Sequence, residues 1–329
     1  MSFPIPIKLW NNTKRTLKRE KLHINWIPFG DINMGSSRTN VWDVHDELMS
    51  MNSVISTVNG EEWNKYDVVI FQKIYDKKLF NYVKKRCLLG FSVGDTHMIF
   101  EKAIRSADFV LCSCPALKQE VQFMNKNCHV ILEGEKMDRF NITKKIVDSS
   151  KITLIYHGFK ENLSHLAGNV ADAVNSLRIN KKISVKLISN FQNIVTIPYF
   201  NVPLELCHWN LDTFNQDVLT GDIGIIPQGD EPQFRLKSAN KIRTLMAMKT
   251  PVIGDKRNQD FRETLGDNRY GLLAHSKQEW KEALEMLINN FDQRLFYAIA
   301  GYQRVAEHYT TSIAAMLLIE VIRGYFSAK

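Results

Sequence analysis

The chain has 329 residues and a formal charge of +8, from 43 Lys and Arg against 35 Asp and Glu. With 44% hydrophobic and 24% charged residues it has the composition of a soluble globular protein, which excludes a largely disordered chain, and its length suits two domains. The modest positive charge favours anionic partners (nucleotides, phosphates, nucleic acid or an acidic membrane surface) without choosing among them.

The five cysteines, Cys87, Cys112, Cys114, Cys128 and Cys207, are odd in number and form no CxxC pair. That argues against a disulfide framework or a structural zinc site and suits a reducing compartment. Cys112 and Cys114 share one face of a strand and read as core. The opening MSFPIPIKLW shows no long apolar core with a cleavage site, and no run reaches the roughly 20 apolar residues of a membrane helix. The expectation is a cytoplasmic protein.

Short apolar runs alternate with helical spacing along the chain. His23–Phe29 reads as a strand, Asp31–Arg38 as a loop and Thr39–Met51 as a helix. Asp67–Phe71 is a buried strand, Lys77–Arg86 a basic helix, and Phe91–Val93 a further strand. Ile99–Ala107 is helical, Phe109–Ser113 a strand, Pro115–Met124 a helix opened by proline, and His129–Leu132 a strand. The polar stretch Glu133–Lys151 follows, and a domain boundary is placed at Asp148. The alternation then restarts: strands at Ile152–Tyr156, Ser184–Ile188, Ile223–Ile226 and Pro251–Ile253, helices at Leu163–Leu177, Ala239–Met248, Gln278–Asn290, Gln293–His308 and Ile313–Phe326. Strands alternating with helices predict parallel sheets covered on both faces. Two such series predict an α/β chain of two Rossmann-like domains.

The stretch Gly221–Gly254 concentrates the chemistry. A strand ends at Pro227, a polar loop runs to Lys237, and a helix follows with Ser238 as its expected cap. Lys237, Lys241 and Arg243 stand in its first turns, where the helix dipole favours anions rather than cations. A helix start with two lysines suits a phosphate or diphosphate. Physics alone leaves solvated surface lysines as an equal reading.

Lys237, Ser238, Asn240 and Lys241, followed by Met246–Ile253, resemble the donor-binding stretch of the retaining family 4, or group 1, glycosyltransferases, patterned KxxNK…MAxGxPVI. Lys249 stands where that pattern has glycine. Tyr270–Ala274, Glu279, Trp280, Ala283, Leu284 and Val305–Tyr309 continue the match, which covers residues 150–325 well and the first half loosely. The resemblance implies a GT-B fold of two Rossmann-like domains facing a central cleft. Residues 1–148 would bind acceptor, 149–310 would bind a nucleotide-sugar donor, and the helix at 311–329 would return toward the first domain. Two acids eight positions apart in many relatives, one on the sugar and one on the ribose, would fall at Leu236 and Thr244. Neither is acidic here, and Glu231 or Asp230 is the substitute considered.

Further site candidates follow from position. Lys160, in the loop after Tyr156, is a donor-phosphate candidate by the resemblance. Gly35, Ser36, Ser37 and Arg38 form a small-residue turn at the cleft or an ordinary strand-to-helix turn; it is not GxGxxG, so no nicotinamide cofactor is indicated. Asp95 and His97 follow a strand, where a base or orienting group would sit. Asn190 would border the nucleotide base, and Trp209 would border the base or fill core. No HExxH or His/Cys cluster marks a metal site, so Lys, Arg and helix dipoles would meet the diphosphate charge. The basic stretches Lys14–Lys21 and Lys77–Arg86 read either as solvated faces or as contacts with an anionic membrane carrying a lipid-linked acceptor. No nucleic-acid motif accompanies the charge. The expected function is sugar transfer from a nucleoside-diphosphate sugar to a glycan or lipid-linked hydroxyl acceptor in surface polysaccharide synthesis, without a cofactor. The alternatives are a GT-B nucleotide-sugar epimerase and a catalytically silent GT-B binding subunit.

Overall fold

The computed structural model describes residues 15–17, 19–94, 97–140, 144–191 and 197–326. The chain divides into two units, Met1–Gly134 with Thr310–Lys329, and Glu135–Tyr309. The first division falls near the start of the polar stretch, ahead of Asp148. Its local reason is Glu135, which is 3% exposed and accepts a hydrogen bond from the Thr244 hydroxyl at 2.8 Å. The chain is thus already anchored in the second unit at that point. Residues 141–143 of the stretch lie outside the described residues, as do Lys14 and Lys18 of the first basic segment.

In the first unit, strands β1 (Leu22–Ile27), β2 (Val54–Val58), β3 (Val68–Gln72), β4 (Leu88–Val93), β5 (Phe109–Cys112) and β6 (Cys128–Val130) form one sheet, ordered β2-β1-β3-β4-β5-β6. Every pairing is parallel. Strands β3 and β4 are buried along their whole length, which is why Val68–Phe71 reads as an unbroken apolar run. Cys112 and Cys114 are buried here. The last helix, Thr311–Arg323, belongs to this unit. Its Ala315, Leu318 and Ile322 share a core with Ile24, Trp26, Val44 and Leu48. Strand β2 escaped the sequence reading because it lies at the sheet edge, with Ile55 36% exposed and Ser56 and Thr57 interrupting its apolar run.

In the second unit, β7 (Lys151–His157), β8 (Lys182–Ser189), β9 (Leu204–His208), β10 (Ile223–Ile226), β11 (Val252–Asp255) and β12 (Leu272–Ala274) form a second parallel sheet, ordered β12-β11-β10-β7-β8-β9. The strand order reverses between β7 and β10. In doubly wound sheets, ligands bind outside the carboxyl ends of the strands at such a reversal. Strand β9 and the helices Phe214–Leu219 and Gln259–Leu265 were not anticipated. β9 is a polar edge strand whose Glu205 accepts from Lys186 of β8 at 2.8 Å. The expected helix Leu163–Leu177 is a 3-10 turn over Lys160–Leu166 and a helix over Asn169–Asn175, separated by Gly168 at φ +68°. Among the described residues no helix is long and apolar enough to cross a membrane.

Lys144 enters the second unit with its Nζ donating to the Gly221 carbonyl and, at 2.7 Å, to the Thr250 hydroxyl. Burial lowers its pKa from 10.5 to about 8, against the opposing pull of Asp222. Between those values the unfolded chain holds more protons than the folded one, so the Lys144 contribution to stability rises with pH across that window. Below it both states are protonated and the contribution is flat. Melting measured from pH 7 to 10.5 should therefore show a rise in wild type, relative to Lys144→Met, that begins near pH 8. Parallel curves for the two proteins would exclude a depressed Lys144.

Candidate functional site

Three segments meet at the β7–β10 reversal: the turn after β7, the loop Pro227–Lys237 after β10, and the start of the helix Asn240–Ala247. That helix buries Ile242, Leu245 and Met246 as its spacing predicts. Its cap differs from the expectation. Ala239, not Ser238, holds the N-cap position, and its N–H donates to Asp260 Oδ2 at 2.6 Å. Asp260 thus holds the N–H of the N-cap residue itself, and no side chain at that position caps the first turn. Arg243 also differs: it is 0% exposed and donates to the same Asp260 oxygen at 2.7 Å and to Thr264 Oγ1 at 3.1 Å. It is a core cation and leaves Lys237 and Lys241 as the cations at the helix start.

Lys241 is half-buried. Its Nζ donates to Tyr156 Oη at 3.3 Å and lies 5.2 Å from the centre of that ring. The Lys237 ammonium lies 4.4 Å from the Phe234 ring centre, and Phe234 meets the His165 ring edge-to-face at 4.5 Å. The His165 pKa falls to about 4, first through burial and then through Lys241 and Lys237, while Glu231 and Asp230 pull the other way. Those four charges thus surround one imidazole, which stays neutral near pH 7. Glu231 is exposed, and its Oε2 lies close to Gly229, where an added Cβ would stand 2.6 Å away.

Arg257 and Asn258 shape the β10 loop. The Arg257 guanidinium grips Asp255 through two nitrogens, at 3.0 and 2.7 Å, and donates to Asp230 and to the Gln228 carbonyl at 3.0 Å. Asn258 Nδ2 donates to the Lys237 carbonyl at 2.9 Å, and its Oδ1 caps the next helix. Asp230 is thereby tied to an arginine, which makes it a loop anchor. Arg257, Asn258, His165, Tyr156 and His157 escaped the sequence reading, because their roles depend on contacts between distant segments. The signal available was the His-Gly pair at the end of a buried strand.

Elsewhere the expectations fare unevenly. The Lys160 side chain is exposed; its backbone N–H donates to Asn190 Oδ1 at 2.9 Å, so Asn190 ties the two loops together. Trp209 is half-buried and packs at a tilt against Phe214, 6.4 Å between centres. Gly35–Arg38 is helical rather than loop: Gly35–Ser37 forms a turn of α-helix, and a π-helical segment runs Arg38–Trp42. Ser37 is buried and donates to Gln72 Oε1 at 3.0 Å while accepting from the Gly30 N–H at 3.1 Å, so its hydroxyl serves the fold. Arg38 donates to the Ile32 carbonyl at 3.2 Å. Asp95 lies outside the described residues. His97 opens the 3-10 turn His97–Phe100, and its side chain lies outside them too. Among the described residues no group of three or more His, Cys, Asp or Glu is placed to hold a metal ion.

No protein-family model and no curated protein matches the chain. Solved structures do. A glycosyltransferase from Rickettsia africae superposes at TM-score 0.69 and 15% identity, covering 93% of this chain and 99% of that one. A sucrose-phosphate synthase from Thermosynechococcus elongatus gives TM-score 0.71 at 11% identity, over 92% and 99%. HepE from Anabaena, in complex with UDP and glucose, gives 0.66 at 12%, over 92% and 100%.

The chain has the GT-B glycosyltransferase fold. In this GT-B chain the helix Asn240–Ala247 closes in a way that accounts for the motif's glycine position. Lys249 there has φ +53°, and the N–H groups of Lys249 and Thr250 return to the carbonyls of Met246 and Leu245 at 2.9 and 3.0 Å. Helix ends of this kind favour glycine; here lysine adopts the left-handed conformation, and its ammonium lies over the Tyr302 ring at 4.8 Å. Thr244, at one missing acid position, hydrogen-bonds the buried carboxylate of Glu135. An acid therefore stands beside that position, supplied from the start of the unit.

Proposed function

We propose that the chain transfers a sugar from a nucleoside-diphosphate sugar to a hydroxyl acceptor. The observation that carries this reading is the pair Lys237 and Lys241 at a helix start on the strand-order reversal of the second unit. In the proposed reaction the acceptor oxygen bonds to the anomeric carbon, the bond from that carbon to the diphosphate breaks, and the acceptor proton is released. Negative charge grows on the leaving diphosphate. Positioned cations and helix N–H groups stabilise such charge without a metal ion. The second unit is then the donor half and the first unit the acceptor half, with Glu231, Asp95 and His97 as candidates for the reacting region and Lys160 and Ser238 as further phosphate contacts.

The proposed acceptor is a glycan or lipid-linked hydroxyl of a surface polysaccharide, met at the inner face of a membrane. The helix Lys77–Lys84 supports this placement with exposed Lys77, Lys78, Lys84 and Tyr82. A second reading, a silent GT-B binding subunit, draws on Leu236 and Thr244 at the acid positions. A nucleotide-sugar panel tests both. The cognate donor at about 100 times its Kd should raise the melting temperature by about 5–10 °C, and should release nucleoside diphosphate when acceptor is added. Stabilisation without turnover on any acceptor favours the silent subunit; the absence of both ends the transferase reading.

A further inference from the structure

The last two residues of β7 and the glycine that follows them each meet Lys241 differently. Tyr156, 0% exposed, accepts from the Lys241 ammonium at 3.3 Å and donates its own hydroxyl proton to the Asn162 carbonyl at 3.5 Å. His157, 9% exposed, donates from Nε2 to the Lys241 carbonyl at 3.0 Å. A carbonyl only accepts, so Nε2 carries the proton, and Phe214 braces the imidazole edge-to-face at 5.2 Å. Gly158 has φ +155°, and a Cβ there would lie 2.6 Å from the Lys241 Nζ and 2.9 Å from Tyr156 Oη. Any side chain at 158 would displace the ammonium.

We infer that Tyr156, His157 and Gly158 are positioning residues that fix both ends of Lys241, backbone and ammonium, so that a nucleoside diphosphate meets a cation already aimed. The inference rests on the donor-site reading of Lys241. A lysine side chain has large rotamer freedom to lose on binding, and a ligand gains affinity when that loss has already been taken in the free protein. The phenol suits this task. Burial pushes the Tyr156 hydroxyl above its ordinary pKa, so it remains a neutral acceptor beside the ammonium and does not neutralise it.

The test is calorimetric titration of wild type, Lys241→Ala, Tyr156→Phe and Gly158→Ala with UDP, GDP and ADP, and with the matching free nucleosides. Tyr156→Phe keeps the ring and loses both hydroxyl hydrogen bonds, the one from Lys241 and the long one to the Asn162 carbonyl. It should weaken diphosphate binding about fivefold, with nucleoside affinity unchanged. Gly158→Ala should weaken it more. In free Tyr156→Phe protein the ε-methylene resonance of Lys241 should also move toward its random-coil position, a signature that a purely structural role for Tyr156 would not produce. If Lys241→Ala weakens diphosphate binding while the other two variants do not, positioning is overturned and the donor site stands. A matching loss of nucleoside affinity in Tyr156→Phe also overturns positioning. If wild type binds none of the three diphosphates, or Lys241→Ala binds them normally, the donor reading fails and takes this inference with it.

Discussion

Lys241→Ala should weaken nucleoside diphosphate binding by roughly 30- to 150-fold, the equivalent of about 2–3 kcal/mol for a charge-assisted hydrogen bond. Two features set this magnitude. The ammonium is half-buried against Tyr156, where its field is less screened than at an open surface. It also stands in the first turn of a helix, where N–H groups and the helix dipole favour an anion. The loss should shrink as salt rises and should be absent for the free nucleoside, which has no phosphate. Isothermal titration with UDP, GDP and ADP at two ionic strengths measures both. A variant that binds within threefold of wild type would remove Lys241 from the phosphate site. Folding should be little affected, since the residue is not part of the buried helix stripe.

The second large effect concerns stability. Asp260 and Arg243 form an ion pair with side chains 2% and 0% exposed, and Asp260 also accepts the Ala239 N–H. The guanidinium lies over the Tyr309 ring at 4.3 Å. Asp260→Asn should cost about 3–5 kcal/mol, because it leaves a buried guanidinium without its counter-charge, and should lower the melting temperature by about 6–20 °C. The double variant Asp260→Leu with Arg243→Met should be more stable than either single charge removal. Chemical denaturation of wild type, Asp260→Leu, Arg243→Met and the double variant closes the cycle; a cost below about 1 kcal/mol for Asp260→Asn would show that water reaches the pair.

The sequence made the architecture legible where burial makes chemistry monotonous. DVVIF and ITLIY are strands that no neighbour could turn into anything else, and the helix Asn240–Ala247 announced its core face through Ile242, Leu245 and Met246. Edge strands were harder to read. β9 reads as a polar segment until Lys186 is seen to hold Glu205 across the strand gap. The site divided along the same line. Lys237 and Lys241 could be found because they sit at a helix start within a resembling motif. The residues that shape their surroundings could not: Tyr156 lies within an apolar run, Arg257 grips Asp255 and the Gln228 carbonyl, and Asp260 holds Arg243 and the Ala239 N–H. Each acquires its role from a segment distant in sequence. Gly35–Arg38 was misjudged as loop because small polar residues mark turns, whereas Ser37 hydrogen-bonds Gln72 and so lets a helix begin there.

The Lys186–Glu205 pair also bears on how this sheet resists self-association. β9 is the last strand of its sheet, and Leu206 on it is 38% exposed. If heat frees β9, the newly bared border of β8 carries a charged side chain that had been 4% exposed. An inward-pointing charge of that kind obstructs the docking of a foreign strand. An opened sheet is therefore guarded against growth into fibrils along its β8 border.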